Sequence, residues 1–259
     1  SLIGSVISGD IIRYFVVAQD IVSTPNIITE PTGGVATDVN TVSSHPAPYT
    51  FTIRPSISGA KTVGVGGNYT TITAALTALE NSVITGAVVL NLIDPLYSTN
   101  ETFPLTVPVL EGVSDVNTVT LKPASGINAV IRIPAARGET DILRVDHGNY
   151  FILDGSNNGS TSRNLTIDAE SGSLSRYGVN ILGGIGYVNS IIIKNCHIIG
   201  ATNTTATTGI NCGSSSAPFA SEDLLVANNL IEKCANGIII ASNALYHAGT
   251  IIRDNVIGS

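Results

Sequence analysis

The sequence IIIKNCHII, residues 191–199, recurs as LLVANNLIE, residues 224–232, and again as TIIRDNVIG, residues 250–258. Superposing the segments aligns three columns: Ile193, Val226 and Ile252; Asn195, Asn228 and Asp254; and Cys196, Asn229 and Asn255. Recurrence of this kind is typical of a solenoid, in which each repeat stacks on its neighbours. The repeats are unevenly spaced, which fits insertions in the loops of stacked coils.

Each repeat also contains a second short strand that begins with glycine and a β-branched residue: Gly178-Val179, Gly209-Ile210 and Gly237-Ile238. A coil therefore carries at least two strands joined by a tight, asparagine-containing bend. Strands stacked about 4.8 Å apart pair through their backbones, and aligned asparagine amides hydrogen-bond along the stack. The sequence predicts an all-β chain that forms a right-handed parallel β-helix.

The composition agrees with this fold class and excludes two kinds of partner. Charged residues are 12% and aromatic residues 5% of the chain, with 26 Gly and no Trp or Met, a profile that favours short strands. The net charge is -7, and the 12 Lys and Arg residues form no basic stripe, so we expect no nucleic-acid partner. No apolar run approaches the roughly 20 residues of a membrane span, so we expect no membrane insertion.

The sequence divides into three parts. Residues 62–259 are predicted to form the β-helix, which begins with a capping helix that buries Ile72, Ala75, Leu76 and Leu79 and starts at Thr70 or Thr71. Residues 250–259 repeat a strand and bend without a polar cap, so we expect a C-terminally incomplete solenoid. Residues 1–54, with strands at 10–19 and 49–53, are interpreted as the last strands of an immunoglobulin-like sandwich, with strands added to a neighbour as the alternative, and residues 55–61 as a linker.

The three cysteines make no metal-binding signature, because their number is odd and their spacing irregular. Cys196, Cys212 and Cys234 are interpreted as small buried residues inside the coils. A Cys196–Cys234 bridge between neighbouring coils is the alternative.

Several segments resemble a known group of proteins. The stretch GNYTTITAAL, residues 67–76, is similar to the opening segment of the pectate-lyase-like β-helix superfamily. Other segments look like large secreted surface proteins of Bacteroidota-type bacteria: RYFVVAQD at 13–20, ETFPLTV at 101–107 and, most specifically, ILDGSNNGSTSRNLTI at 152–167. The resemblance implies a β-helix among immunoglobulin-like modules, export by type IX secretion and an extracellular or cell-surface location. It implies no catalytic residues.

The exposed face of the predicted strands carries the candidate catalytic residues. Aligning Leu165–Asp168 with Ile191–Lys194 places Asp168, Lys194, Ala227 and Arg253 in one column. Asp168 and Lys194 are then neighbours on adjacent coils, either as a solvated ion pair or as a catalytic acid with a basic partner.

Two further positions carry candidate site residues. Asp146 and His147 follow a strand directly, which indicates a turn, with a catalytic role as the alternative. Asp154 opens the oxygen-rich segment DGSNNG at 154–159, which is either a plain turn or a Ca²⁺ site, although its spacing lacks the alternating carboxylates of a calcium loop. We therefore predict no cofactor, with Ca²⁺ as the alternative.

Two classes of function fit these features. We expect a non-enzymatic surface module, a rigid rod for adhesion, binding of extracellular glycans or assembly with other surface proteins. The alternative is a polysaccharide lyase or glycoside hydrolase acting on an extracellular acidic polysaccharide, which requires a groove with two carboxylates and a base. The open end of the last coil also predicts end-to-end self-association, because unpaired strand edges are templates for further pairing.

Overall fold

A computed structural model describes residues 4–34, 38–42, 44–169, 176–182, 186–201, 207–214, 219–242 and 247–258. The chain divides into two compact units, Ser1–Pro55 and Ser56–Ser259, and each is described by itself. Strands account for 47% and helices for 5% of the structure, so the chain is mostly β, as the composition predicts.

The first unit contains two small antiparallel sheets. Its elements are β1 (Ile11–Tyr14), β2 (Val16–Gln19), β3 (Ile27–Glu30), a 3₁₀ turn (Val39–Thr41) and β4 (Tyr49–Thr52). Strand β1 pairs with β4, and β2 pairs with β3. The strands predicted at 10–19 and 49–53 are present, whereas β3 lies in a stretch for which the sequence predicts no strand. The immunoglobulin-like sandwich stays a prediction.

The second unit contains one helix and twenty strands within its described residues. The first elements are β5 (Ser56–Val63), α1 (Ile72–Glu80), β6 (Val83–Leu92), β7 (Leu96–Tyr97), β8 (Leu105–Val107), β9 (Val119–Pro123), β10 (Ala129–Arg132) and β11 (Asp141–Asp146). The next are β12 (Phe151–Asp154), β13 (Leu165–Asp168), β14 (Tyr177–Leu182), β15 (Gly186–Asn189), β16 (Ile192–Lys194), β17 (Cys196–Ile199) and β18 (Thr208–Ser214). The last are β19 (Phe219–Glu222), β20 (Leu225–Ala227), β21 (Leu230–Glu232), β22 (Asn236–Ser242), β23 (Ile251–Arg253) and β24 (Val256–Ile257).

These strands form three long parallel sheets. The first sheet has the order β5-β6-β9-β12-β16-β20-β23, the second β7-β10-β13-β17-β21-β24 and the third β8-β11-β14-β18-β22, while β15 and β19 pair separately. The chain visits the first, second and third sheet in turn and then returns to the first. Each passage, here called a layer, adds one strand to each sheet: β6, β7 and β8 make layer 1, β9 to β11 layer 2, β12 to β14 layer 3, β16 to β18 layer 4, and β20 to β22 layer 5. Strands β23 and β24 make layer 6.

The register confirms the columns read from the sequence. Ile193 pairs with Val226, which pairs with Ile252 in the first sheet. Val179, Ile210 and Ile238 are paired in the same way in the third sheet. The repeats therefore occupy equivalent places in successive layers.

Alternate residues of all three sheets pack into one hydrophobic core. Leu153, Ile193 and Val226 of the first sheet are fully buried, as are Ile167 and Ile231 of the second. They belong to one continuous cluster with the buried residues of the third sheet. The period-2 alternation of β-branched residues thus places one face of every strand in the core.

The predicted capping helix is present as α1. Thr71 is its N-cap and accepts a hydrogen bond from the backbone of Ala74, and all four apolar residues predicted to be buried lie in the core. The helix packs against β5, β6 and β8. The segment predicted as a linker, 55–61, mostly lies in β5, which pairs in parallel with β6, so the second unit begins at Ser56.

All three cysteines are free thiols, so the alternative of a Cys196–Cys234 bridge is wrong. Cys196 and Cys212 are buried, as predicted, whereas Cys234 is partly exposed. Burial raises the pKa of Cys196 above its ordinary value and raises that of Cys212 to about 11. In the folded chain these two side chains are core residues with low thiolate content.

Candidate functional site

The structure separates Asp168 from Lys194, so the predicted ion pair between them is wrong. Asp168 lies in the second sheet, where its carboxylate is 2.9 Å from the Arg132 guanidinium. Its register partners are Arg132 and Ile199. The alternation in Leu165–Asp168 fits strands of either sheet equally well, so the sequence pattern alone could not assign the segment to the correct sheet.

Lys194 lies in the first sheet and pairs in register with Asp154, Ala227 and, one strand further, Arg253. The predicted column of Lys194, Ala227 and Arg253 is therefore confirmed. Asp154 takes the place in layer 3 that was predicted for Asp168. The Lys194 Nζ lies 3.3 Å from Asp154 Oδ2.

Asp154 is a largely buried carboxylate that is surrounded by internal donors. Its Oδ1 accepts hydrogen bonds from the Ser156 backbone at 3.0 Å and from Asn195 Nδ2 at 2.7 Å. Within the described ranges, no group of three His, Cys, Asp or Glu side chains is placed to hold a metal ion. Asp154 is the last residue of β12, and the Lys194 ammonium beside its carboxylate balances its charge. The Ca²⁺ alternative stays a prediction.

Asp146 and His147 form an exposed pair at the end of β11. The His147 Nδ1 lies 2.6 Å from Asp146 Oδ1, and His147 has a φ of 55°, which is typical of a turn. Neither residue lies at the bends that join the first sheet to the second. The arrangement agrees with the turn interpretation.

The tight bend between the first and second sheets is held by side chains of the repeat columns. Asn195, Asn228 and Asp254 all have left-handed backbone conformations, with φ of 59°, 53° and 58°. Short polar residues tolerate this conformation best, because their side chains hydrogen-bond locally. The Asn228 Nδ2 donates to Asn195 Oδ1 at 2.8 Å, so the bends are linked from layer 4 to layer 5.

A cleft of 440 Å³ lies beside these bends on the outer side of the first sheet. It is lined by Ser160, Thr161, Lys194, Asn195, Leu225, Ala227, Asn228, Arg253 and Asp254. Lys194 and Arg253 are two strands apart, about 9.6 Å at the usual strand spacing. The small Ala227 side chain lies between them and leaves room for a ligand.

The segment 155–164 forms one wall of this cleft. Arg163 donates through Nε to the Asn228 carbonyl and through Nη2 to Asn228 Oδ1, both at 2.8 Å. Asn228 Nδ2 in turn donates to the Thr161 carbonyl at 2.8 Å. The segment thus reaches from layer 3 to layer 5, a contact between distant residues that no local sequence pattern signals.

The charges at the cleft are partly paired. Arg253 Nη1 lies 2.7 Å from Asp254 Oδ2, and both side chains are mostly exposed. The Lys194 side chain is 37% exposed beside Asp154. The two cations and the hydroxyl-bearing Ser160 and Thr161 can contact a ligand that is rich in oxygen atoms, whereas both asparagine amides are engaged within the protein.

The cleft does not contain the carboxylate pair that glycosidic cleavage requires. Asp254 is the one carboxylate among the described residues that line it. Glycoside hydrolases use two carboxyl groups separated by about 5 to 9.5 Å across the scissile bond.

Comparison with known proteins finds no matching family model, no matching curated protein and no matching solved structure. The function must therefore be inferred from the site. Neither described helix has the length and apolar character needed to cross a bilayer.

Proposed function

We propose that this protein is a non-enzymatic extracellular surface module in which a right-handed parallel β-helix acts as a rigid support for glycan binding. The support for the β-helix is the strand order, in which each sheet gains one parallel strand per layer. Continuous backbone pairing through all layers makes such a support stiff. The proposal places the first unit among immunoglobulin-like modules.

The observation that carries the binding role is the cleft on the first sheet. Lys194 and Arg253 flank the small Ala227, and the amides of Asn195 and Asn228 lie beside them. Cations recognise carboxylate or sulfate groups, and the hydroxyls of Ser160 and Thr161 can contact the hydroxyls of a sugar. We therefore propose an acidic glycan as the ligand of this cleft.

Binding of oligogalacturonate to the purified protein, measured by calorimetry, tests this role. We expect Lys194→Gln together with Arg253→Gln to weaken binding at least about tenfold, because each charged hydrogen bond contributes about 1.5 to 3 kcal/mol. Ala227→Phe should block the cleft. Arg132→Gln, which removes an outer-face cation of the second sheet, is the matched control and should bind normally. The proposal would be refuted if the double variant and Ala227→Phe bound oligogalacturonate as tightly as the Arg132→Gln control.

The alternative is a polysaccharide lyase or hydrolase, and the contact between Lys194 and Asp154 is the observation that favours it. Release of unsaturated or reducing ends from acidic polysaccharides, with and without Ca²⁺, tests this alternative. Product release that is lost in Asp154→Ala and retained in Asp168→Ala would place a catalytic site at the cleft and overturn the binding role.

The proposed location is the extracellular space or the bacterial cell surface, with export by type IX secretion. Its support is the resemblance of residues 152–167, 13–20 and 101–107 to secreted surface proteins. Protease treatment of intact producing cells tests it: a surface protein is removed while internal proteins remain. Protection of the protein in intact cells would contradict this location.

End-to-end association of copies is proposed as the mode of assembly. Among the described residues, β23 and β24 are the outermost strands of their sheets, and their Ile251, Ile252, Val256 and Ile257 are each 48% to 57% exposed. Light scattering over a concentration series should show larger species, and Ile252→Lys should abolish them. A monomer at all concentrations would refute this mode of assembly.

A further inference from the structure

A second groove lies on the outer face of the third sheet and has a different chemistry. Its volume is 320 Å³, and it is lined by Tyr177, Asn180, Leu182, Asn211, Gly213, Ile239 and Ala241. All of these described lining residues are uncharged. The volume lies within the range of about 300 to 1,000 Å³ that small-molecule sites occupy.

The register of the third sheet builds this groove across three layers. Asn180 pairs with Asn211, which pairs with Ile239, so the three side chains follow one another across layers 3, 4 and 5. The residues two positions further, Leu182, Gly213 and Ala241, form a second row along the groove. Alternate residues of a strand share a face, which places both rows on the same side of the sheet.

Gly213 allows two strands to approach closely in the second row. Its φ is 149°, and a Cβ atom at this position would lie 1.9 Å from the Ala241 carbonyl oxygen. Only glycine fits such a close approach of two strands. The row therefore has no side chain in layer 4, and Leu182 and Ala241 line the groove on either side of this position.

Two asparagine amides lie at the centre of the groove. Asn211 Nδ2 donates to Asn180 Oδ1 at 2.8 Å and to the Gly213 carbonyl at 3.2 Å. Asn180 is only 5% exposed. Within the described part of the chain, its Nδ2 group makes no hydrogen bond, and it is not among the buried polar atoms that lack a partner, so it is accessible from the groove.

We propose that this groove binds an uncharged pyranose chain. Sugar hydroxyls both donate and accept hydrogen bonds, so they complement the two amides and supply an acceptor for Asn180 Nδ2. Tyr177, Leu182 and Ile239 offer apolar surface for the C–H faces of the rings. The described lining residues are uncharged, while Arg144 and Asp146 continue the two rows in layer 2 with opposite charges. This second site goes beyond the proposed function, because it lies on another sheet and takes another ligand class.

Calorimetric titration with cellohexaose, laminarihexaose and mannohexaose tests the inference on the whole chain. We expect at least one of them to bind, with an affinity that changes less than about twofold between low and high salt, because no ion pair is involved. Asn211→Leu should weaken this binding at least about tenfold. The matched control, Asn91→Leu, removes an amide from strand β6 of the first sheet and should leave binding unchanged.

A second variant guards against a folding defect in Asn211→Leu. Ala241 is exposed at the edge of the groove, so Ala241→Phe can fill the groove without disturbing the core. It should also abolish binding. Failure of all three sugars to bind would overturn the inference. So would binding by Asn211→Leu and Ala241→Phe with the same affinity as the unchanged protein. Both variants should still bind oligogalacturonate at the first sheet. The two ligands therefore test the two proposed sites independently.

Discussion

Two neighbouring asparagines of layer 5 have different roles. Asn228 is partly exposed, has a left-handed backbone and links the bend to the wall of the cleft through Thr161 and Arg163. Asn229 is fully buried. Its Oδ1 accepts from the Cys196 backbone at 2.9 Å, and its Nδ2 donates to the Ile193 carbonyl at 3.0 Å. The buried member of the pair therefore holds two layers together.

Asn229→Leu is expected to lower the free energy of unfolding by about 3 kcal/mol. The substitution leaves the Cys196 N–H and the Ile193 carbonyl without their partner inside the core, and each such loss typically costs about 1 to 3 kcal/mol. Urea unfolding followed by circular dichroism measures the change. Asn91→Leu is the control and should cost less than about 1 kcal/mol, because its one side-chain hydrogen bond is long, at 3.4 Å. Equal effects of the two substitutions would contradict the assigned role.

At the scale of elements, a glycine column lets the second and third sheets approach each other. A Cβ atom at Gly178, Gly209 or Gly237 would lie 2.5 to 2.8 Å from an isoleucine methyl or methylene carbon of the next layer. At Gly209, this neighbour is Ile231 Cγ2 at 2.5 Å, with the Gly237 carbonyl at 2.7 Å. The repeated glycine of the sequence is thus required by packing between layers.

Gly209→Ala is expected to destabilise the second unit by about 1 to 3 kcal/mol, since overpacking a tight core forces neighbouring strands apart. Thermal unfolding of the variant measures this effect. Gly138→Ala is the matched control: no atom lies within 4 Å of its Cβ position, so the change should be neutral or slightly stabilising. Normal stability of Gly209→Ala would mean that the layers are less tightly packed than the distances indicate.

The helix α1 is held by a carboxylate from layer 1. Glu101 is 3% exposed and accepts hydrogen bonds from the backbone of Ile72 and of Thr73, both at 2.8 Å. A negative charge at a helix N-terminus is also favoured by the helix dipole. The helix is therefore tied to the stack at its first turn.

Glu101→Gln is expected to cost about 2 kcal/mol of stability, because one carboxylate oxygen is replaced by an amide that cannot accept a backbone hydrogen bond. Hydrogen exchange of the α1 amides should speed up more than exchange in layers 4 and 5. Asp115→Asn, at an exposed carboxylate, is the control and should change neither quantity. Unchanged exchange in α1 would show that apolar packing alone fixes the helix.

At the scale of the whole molecule, buried acids make the fold sensitive to alkali. Burial raises the pKa of Cys212 from an ordinary 9.0 to about 11 and that of Tyr97 from 10.0 to about 12. The folded state thus resists ionisation that the unfolded state allows. These groups contribute their full stabilisation below about pH 9. This stabilisation is lost as the pH rises through the pKa values of the groups in the folded state.

We expect the free energy of unfolding to fall by about 2 kcal/mol per buried thiol between about pH 9 and pH 11. Urea unfolding at several pH values measures this slope. Cys212→Ala should flatten it. Val145→Ala, at an equally buried residue of the third sheet, should lower stability without changing the slope. An identical slope in Cys212→Ala would show that other groups cause the loss.

The sequence by itself determined the all-β class, the repeat columns and the helix, with its cap at Thr70 or Thr71. These features depend on side-chain periodicity and on local capping, which are encoded in a few neighbouring residues. Equivalent strands in layers 4 to 6 share one residue pattern. The alignment of Ile193 and of Lys194 with their partners in layers 5 and 6 was therefore correct.

Only the tertiary structure decided which sheet each strand joins and what surrounds the grooves. Asp168 was assigned to the wrong sheet because every strand shows the same alternation, so loop length and packing must choose its place. The link from Arg163 to Asn228 and the close approach of Gly213 to Ala241 depend in the same way on residues far apart in the chain. Contacts between layers arise from stacking, and stacking places the charged cleft on one sheet and the amide groove on another.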